Sequence, residues 1–424
     1  MKNFKPYDII HIHLEQPQIF TLPPKDGNGK YIVVWWKEIA MGQFFIESNA
    51  EIDEKEYKTK IASAIIGAME SYEKKANSAP IDWKTWLLNH NLEEWQSKMG
   101  EIIEPFIPKN FPEMVPISVI ICTRNRAESL YRCLSFLEKS TCRPEEIIVV
   151  DNDSNDDDTY KIATQFKNVL YVKEPKKGLS AARNTGIKNA KTKVIAFTDD
   201  DVQVHPLWTY SLWKSFENED FSALTGLVIT SSLQTESQFI FEKYWSFNRG
   251  FVGKIYDKDY FESVLRKGPP VWEIGAGANM AFRKSIFNEV GYFNEFLGAG
   301  AAGCSEDSEM WFRILTNGHK ILYDPKVVTF HEHRQNMREL KKQIFNYMQG
   351  FTVAALVQQK QSPGAGYKKH LYVRLPQYYF SLLKKGFPFY RAQFQTLSFE
   401  IRGILSGYRY YFANYFKLKY SLRK

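Results

Sequence analysis

Three short apolar runs in the middle of the chain each stop at a cluster of polar side chains, and this pattern restricts the fold more than any other feature. The run at 117–121 leads into Cys122, Thr123, Arg124, Asn125 and Arg126. The run at 146–150 leads into Asp151, Asn152, Asp153 and Ser154, and the run at 194–197 leads into Asp199, Asp200 and Asp201. A further apolar run lies at 169–172, and the intervening segments carry helical patterns, with Leu130, Leu134 and Leu137 on one face and an Ala-rich stretch at 180–190. Continuous apolar runs that alternate with helices predict strands buried on both faces, hence a doubly wound, mostly parallel α/β sheet. Such sheets bind ligands beyond the carboxyl ends of their strands, where all three polar clusters fall.

Several residues there suit phosphate and metal chemistry. Alternate residues of a strand-end loop can face the same way, so Asp199 and Asp201 can share a divalent cation, and Mg2+ or Mn2+ favours oxygen ligands of this kind. Such a cation offsets negative charge that builds on a leaving diphosphate. Asp151 and Asp153 can accept hydrogen bonds from a base or ribose, although Asx turns use the same residues. Lys177, Gly178 and Arg183 follow, and Arg183 carries the fixed donors that suit a phosphate.

A second block runs from a Gly-rich stretch, Gly275 to Met280, through the loop 298–303 to Ser305, Glu306, Asp307, Ser308 and Glu309. Ser305 reads as a helix N-cap, with acids in the first turn. Transfer to a hydroxyl needs a general base, and Glu306 and Asp307 are the candidates. His331 and His333 follow an apolar run, and a neutral imidazole can complete a metal shell.

In their order, these pieces resemble glycosyltransferase family 2. The matching stretches are PISVIICTRNR at 116–126, IIVVDNDSND at 147–156, GLSAARNTGI at 178–187, IAFTDDDV at 195–202, GAGANMAFRKSIFNEVGYFNE at 275–295, GCSEDSEMWFRI at 303–314 and GHKILYDPKVVTFH at 318–331. The resemblance implies a GT-A fold and an inverting transfer from a nucleoside-diphosphate sugar, UDP- or GDP-linked, to a glycan or lipid-linked acceptor. It implies a metal, Mn2+ or Mg2+, at Asp199, Asp201 and His331. Thr123, Arg126, Asp151, Asp153, Gly178, Arg183, Asp199 and Asp200 would hold the nucleotide sugar. Asp307, with Glu306 beside it, would deprotonate the acceptor, and Gly277, Asn279 and Glu309 would face it. The middle residue of the triplet is itself an aspartate, Asp200, which leaves open which pair of the triplet binds metal.

The flanks differ in character. Residues 1–112 read as a small α+β module, with a buried strand at 31–36, a helical pattern in Ile61, Ile65, Ile66, Met69 and Tyr72, and Pro105, Pro108, Pro112 and Pro116 marking the exit. His11 and His13 alternate with isoleucines, as on the solvent face of a strand. The core domain is expected at 113–335, with a nucleotide-binding half at 113–205 and an acceptor half at 206–335. Residues 336–424 form a basic, aromatic, helical tail. From 365 to 424 there are 12 Lys or Arg against Glu400 alone, and 17 Tyr or Phe, while the formal charge of the whole chain is +8. This composition suits the surface of an anionic membrane, or a hairpin packed on the enzyme. It also suits single-stranded nucleic acid, but no nucleic-acid module is recognisable, so nucleic acid is not expected. Gly386, Pro388, Gly403 and Gly407 are expected to break the tail into short pieces.

The four cysteines lack disulfide or zinc spacing and read as free thiols of a reducing compartment. Asp8 interrupts any signal-peptide core, and no stretch reaches the ~18 apolar residues of a membrane span. The expected location is the cytoplasm, either free or on the inner membrane face. Two other functions compete. A phosphatase of the haloacid dehalogenase type would use Asp151 and Asp153, but its motif ends the first strand of the domain, and here an earlier strand precedes it. A non-catalytic glycan-binding scaffold would not require both acidic motifs. A nucleotidyltransferase would need a glycine-rich loop where Thr123 to Arg126 stands.

Overall fold

The computed structural model describes residues 4–78, 82–89, 91–218 and 220–417. The N-terminal part holds β1 (Tyr7–His13), β2 (Gly29–Trp36) and β3 (Ile39–Ile46), followed by α1 (Glu54–Ala76), α2 (Trp83–Leu88) and α3 (Leu92–Ile103). β2 is central, parallel to β1 and antiparallel to β3. Every residue of β2 is buried because both of its faces are covered. Ile32, Val34 and Trp36 pack with Ile61, Ile65 and Met69 of α1. Tyr31, Val33 and Trp35 pack against Leu227, Ile229 and Val328 of the central domain.

That domain comprises β4 (Met114–Thr123), α4 (Ala127–Glu138), β5 (Arg143–Asp151), α5 (Asp158–Ala163), β6 (Val169–Lys173), α6 (Leu179–Asn189), β7 (Val194–Asp199), β8 (Val202–Val204), α7 (Trp208–Asn218), β9 (Ala223–Thr230), α8 (Glu236–Trp245), β10 (Lys254–Tyr256), α9 (Lys258–Leu265), β11 (Asn279–Arg283), α10 (Ile286–Val290), α11 (Glu306–Thr316) and β12 (Ile321–His331). The strands form one sheet in the order β10-β12-β9-β11-β7-β4-β5-β6, with β8 paired to β12. The β7-β4-β5-β6 wing is parallel, as the alternating pattern predicts. β11 enters antiparallel between β7 and β9, and β12 runs parallel to β9. Two reversals bring β12 back to the direction of β7, so His331 ends on the same edge as Asp199. Both sheet faces are covered: Ile120, Ile148 and Phe197 point to one core with Ala182 and Trp311, while Val119, Ile121 and Val149 point to another with Leu130, Leu134 and Trp208.

The C-terminal part holds α12 (Met337–Gln361), the short α13 (Tyr367–Lys369), α14 (Leu375–Gly386) and α15 (Leu397–Ala413). Gly403 and Gly407 do not break the tail, contrary to expectation, but lie inside α15. A Cβ on Gly403 would stand 2.4 Å from the Phe345 carbonyl oxygen, and one on Gly407 2.7 Å from that of Gln349. The two glycines thus let α15 lie directly on the backbone of α12. Residues 418–424 of the expected tail lie outside the described residues. Among the described residues, no helix is long and apolar enough to cross a membrane.

Candidate active site

A cavity of about 1590 Å3 opens over the carboxyl ends of β4 and β7. Thr123, Arg126, Gly178, Arg183, Asp199, Asp200, Asp201, Gly277, Glu306, Asp307 and His331 all line it. The register sets Cys122 beside Asp199 and Thr123 beside Asp151, so neighbouring strands deliver their ends at one level.

Within the triplet the carboxylates part company. Asp200 turns under the loop, where it accepts from the Thr123 hydroxyl at 2.7 Å and from Arg126 at 2.6 Å. Burial raises its pKa to about 7 against the pull of Arg126. Asp199 and Asp201 face His331, and ligand atoms of these three residues lie within 4.8 Å of one another. Two carboxylates and an imidazole form a donor set that fits Mn2+ or Mg2+. Burial lowers the His331 pKa to about 4, so the ring is neutral at pH 7 with a lone pair available. Asp201 is held low despite its burial, and with His331 neutral the cations that act on it are Arg126 at 2.8 Å and Arg334 at 3.6 Å.

The tautomer of His331 is dictated from behind. Glu242 of α8 accepts from the Tyr31 hydroxyl and from the Ser246 hydroxyl, each at 3.1 Å. Its other oxygen stands 2.9 Å from His333 Nε2, which must therefore donate. In a singly protonated His333 ring Nδ1 is then an acceptor, 3.2 Å from His331 Nδ1, which donates to it. His331 Nε2 is left as a lone pair on the side of Asp201, 3.6 Å away.

Arg183 joins the two acidic motifs. It is buried on α6, 2.5 Å from Glu306 and 3.7 Å from Asp199, and it donates to the Gly277 carbonyl at 3.4 Å. Burial raises the Glu306 pKa, and Arg183 opposes that rise. Asp307 is half-buried and is held by two backbone donors, Gly277 N–H at 2.9 Å and Ser308 N–H at 2.6 Å. Gly178 opens α6 at φ 138°, a conformation reserved for glycine, and donates to the Asn152 side chain at 2.8 Å.

Other sequence-predicted residues lie elsewhere. Asp151 is off the cavity lining, its carboxylate taken by Ser154 N–H at 2.9 Å and the Tyr171 hydroxyl at 2.7 Å. Asp153 also lies off the lining, with a left-handed backbone and Lys177 3.4 Å away. It is Asn152, between them, that faces the cavity. Asn279 is corrected from acceptor contact to sheet anchor, because it accepts from Trp208 and donates to the carbonyls of Leu227 and Val327. Glu309 is likewise corrected: it points away, buried against Arg313 and Gln361. Ser305 precedes α11 at φ 70° and makes no side-chain cap bond, its hydroxyl lying instead 3.1 Å from the Cys304 sulfur. Arg334 and Glu242 were absent from the expected site. A polar residue on an amphipathic helix reads as solvent-facing, so nothing local marks Glu242.

The family model described as "Glycosyl transferase family 2" matches residues 118–291, and that described as "Glycosyl transferase family group 2" matches 245–418. The chain belongs to glycosyltransferase family 2. A chondroitin synthase of Escherichia coli is 27% identical over 63% of this family 2 chain and 43% of its own length. A glucosyl-dolichyl phosphate glucuronosyltransferase of Haloferax volcanii is 24% identical over 56% of the chain and 75% of its own length. Among solved structures, a mannosyltransferase of Pyrobaculum calidifontis in complex with GDP-Man and Mn2+ aligns over 75% of the chain and 94% of its own, with 16% identity and a TM-score of 0.44.

Proposed function

We propose that this chain is an inverting glycosyltransferase that moves a sugar from a nucleoside-diphosphate donor to a hydroxyl of a glycan or lipid-linked acceptor. The observation that carries the reading is one cavity in which Arg183 bridges Asp199 and Glu306, so that the metal-capable group and Asp307 share a site. Asp199, Asp201 and His331 would hold Mn2+ or Mg2+, which when bound supplies positive charge against a departing diphosphate.

The chain's own groups perform the remaining tasks. Arg126 and Arg334 add fixed positive charge beside Asp201, where phosphate oxygens would lie. Arg183 keeps Glu306 paired and so holds the start of α11. Asp307 keeps both oxygens oriented by backbone N–H groups and takes the acceptor proton as the hydroxyl attacks the anomeric carbon from the face opposite the leaving group. A single displacement inverts that centre.

The name of one relative includes a dolichyl phosphate, which keeps lipid-linked acceptors within the reading. Work at the cytoplasmic face of a membrane, with 365–424 against the surface, belongs to the same proposal. The deciding experiment is thermal shift with a panel of nucleotide sugars, with and without Mn2+, on the wild type and Asp201→Ala. A metal-dependent shift with a UDP- or GDP-sugar, lost in the variant, is expected. No shift with any donor would overturn the reading.

A further inference from the structure

Among the described residues, ten of the twenty large apolar side chains left exposed fall within 372–416. They are not scattered. Phe380, Phe387 and Phe389 are 61%, 74% and 73% exposed around the end of α14. Exposed Lys384, Lys385, Arg391, Arg402 and Arg409 lie among them, while Glu400, the single acid of this region, is buried against Tyr379 and Thr396. The surface is therefore apolar and positive, with no exposed carboxylate among the described residues of 365–417. An apolar cluster of this kind marks an interaction site, and aromatics among basic groups are the composition that settles into the headgroup layer of an anionic leaflet.

The opposite side of the same helix faces the catalytic cavity. Leu375, Tyr379 and Leu382 of α14, with Phe394 and Leu397 beyond it, line the cavity that also holds Asp201 and Asp307, and Gln393 and Glu400 are polar groups among them. α14 thus separates an apolar arm of the site from an apolar, cationic exterior. α15 lies on α12 through Gly403 and Gly407, and the Tyr379 hydroxyl of α14 donates to Glu400 of α15 at 2.9 Å, so α14 is tied to that helix pair.

We propose that the exposed face of α14 and the segment after it dock on an anionic lipid bilayer, and that the apolar arm of the cavity receives the hydrocarbon part of a membrane-anchored acceptor. The docking surface stands on its own observations, whereas the acceptor half rests on the transferase reading. Charge selects the bilayer as occupant. A second copy of this chain would bring the same positive face against itself, and like charges oppose that pairing.

The test is flotation of the full chain with phosphatidylcholine vesicles and with vesicles that also contain phosphatidylglycerol. Flotation is expected only with the second, and is expected to fall at high salt. Phe380→Ser/Phe389→Ser and Lys384→Gln/Lys385→Gln should each reduce vesicle affinity on the order of tenfold, with Mn2+-dependent nucleotide-sugar binding unchanged. Farnesyl phosphate, titrated by calorimetry, should bind the wild type and lose affinity in Leu382→Glu. Absence of flotation with intact nucleotide-sugar binding overturns the docking surface and leaves the transferase reading standing. Absence of farnesyl phosphate binding overturns the acceptor arm. Dimerisation in light scattering that Phe380→Ser/Phe389→Ser abolishes would assign the face to a second copy instead.

Discussion

The Arg183 guanidinium stands 2.5 Å from Glu306, and its other arm lies 3.7 Å from Asp199, so one buried cation ties the acids of β7 to those of α11. Removing one member of a buried pair strands the other and costs about 3–5 kcal/mol. Arg183→Met should therefore lower stability by roughly that amount in urea denaturation. Arg183→Met/Glu306→Met should recover much of it, while transfer stays lost in both. If the single and double variants are equally destabilised, the pair does not hold the two motifs together.

Metal binding should depend on residues separated by 130 positions in the chain. His331→Ala and Asp201→Asn are each expected to abolish or severely weaken Mn2+ binding, followed by electron paramagnetic resonance. Asp200→Asn should act differently. Asp200 serves Thr123 and Arg126, so its loss should loosen the loop after β4 and weaken nucleotide binding while Mn2+ affinity changes less. Equal loss of Mn2+ in Asp200→Asn would assign the cation to a different pair of the triplet.

The Glu242–His333–His331 chain predicts an effect at a distance. Groups that orient a metal-ligating histidine typically contribute about 10–100-fold to metal affinity. His333→Phe and Glu242→Leu should weaken Mn2+ by amounts in that range, with His331 itself intact. Tyr31→Phe should do so less, because Ser246 still donates to Glu242. Unchanged Mn2+ affinity in His333→Phe would show that the relay does not set the tautomer.

Much of the fold was readable because burial on both faces writes itself as uninterrupted apolar runs. The strands ending at Thr123, Asp151 and Asp199 were visible for that reason. The convergence of Asp201 with His331 follows from chain order and two strand reversals, which apolar runs alone do not reveal; it entered the sequence reading only as an implication of the family resemblance. What failed was local. Asn279 follows a glycine-rich loop and looked ligand-facing, yet its side chain is taken up by the Leu227 and Val327 carbonyls of the sheet and by Trp208 of α7. Gly403 and Gly407 looked like helix breakers because intrinsic propensity ignores tertiary contact, and here close approach to α12 requires them. Glu242 and Tyr31 come from segments without any motif, and only packing brings them behind His331.

Asp307 carries the acceptor proton in the proposed mechanism. Asp307→Asn keeps the side-chain shape and an acceptor for Gly277 N–H, so donor binding should survive. General-base loss is worth about 10²–10⁴-fold, and transfer measured at saturating donor should fall by that much. A variant that keeps more than a tenth of wild-type turnover would move the base elsewhere.

Glu400 provides a pH-dependent test of the tail. Its pKa is raised by burial, with bonds from Thr396 and Tyr379 opposing the rise. The folded state therefore holds this proton more tightly than the unfolded chain does. Below the ordinary glutamate range both states are protonated and the group costs nothing. As pH rises through that range, the unfolded chain releases the proton first, and stability falls until the folded carboxyl also ionises. Glu400→Gln cannot ionise, but it gives up part of the acceptor capacity used by Thr396 Oγ1 at 2.6 Å and Tyr379 at 2.9 Å. The variant should thus be the less stable protein in acid and gain on the wild type as pH increases towards neutral. Thermal melts of both proteins across that range should converge or cross. A difference in melting temperature that stays constant with pH would mean that Glu400 titrates alike in the folded and unfolded chains, and that its burial does not bias the proton.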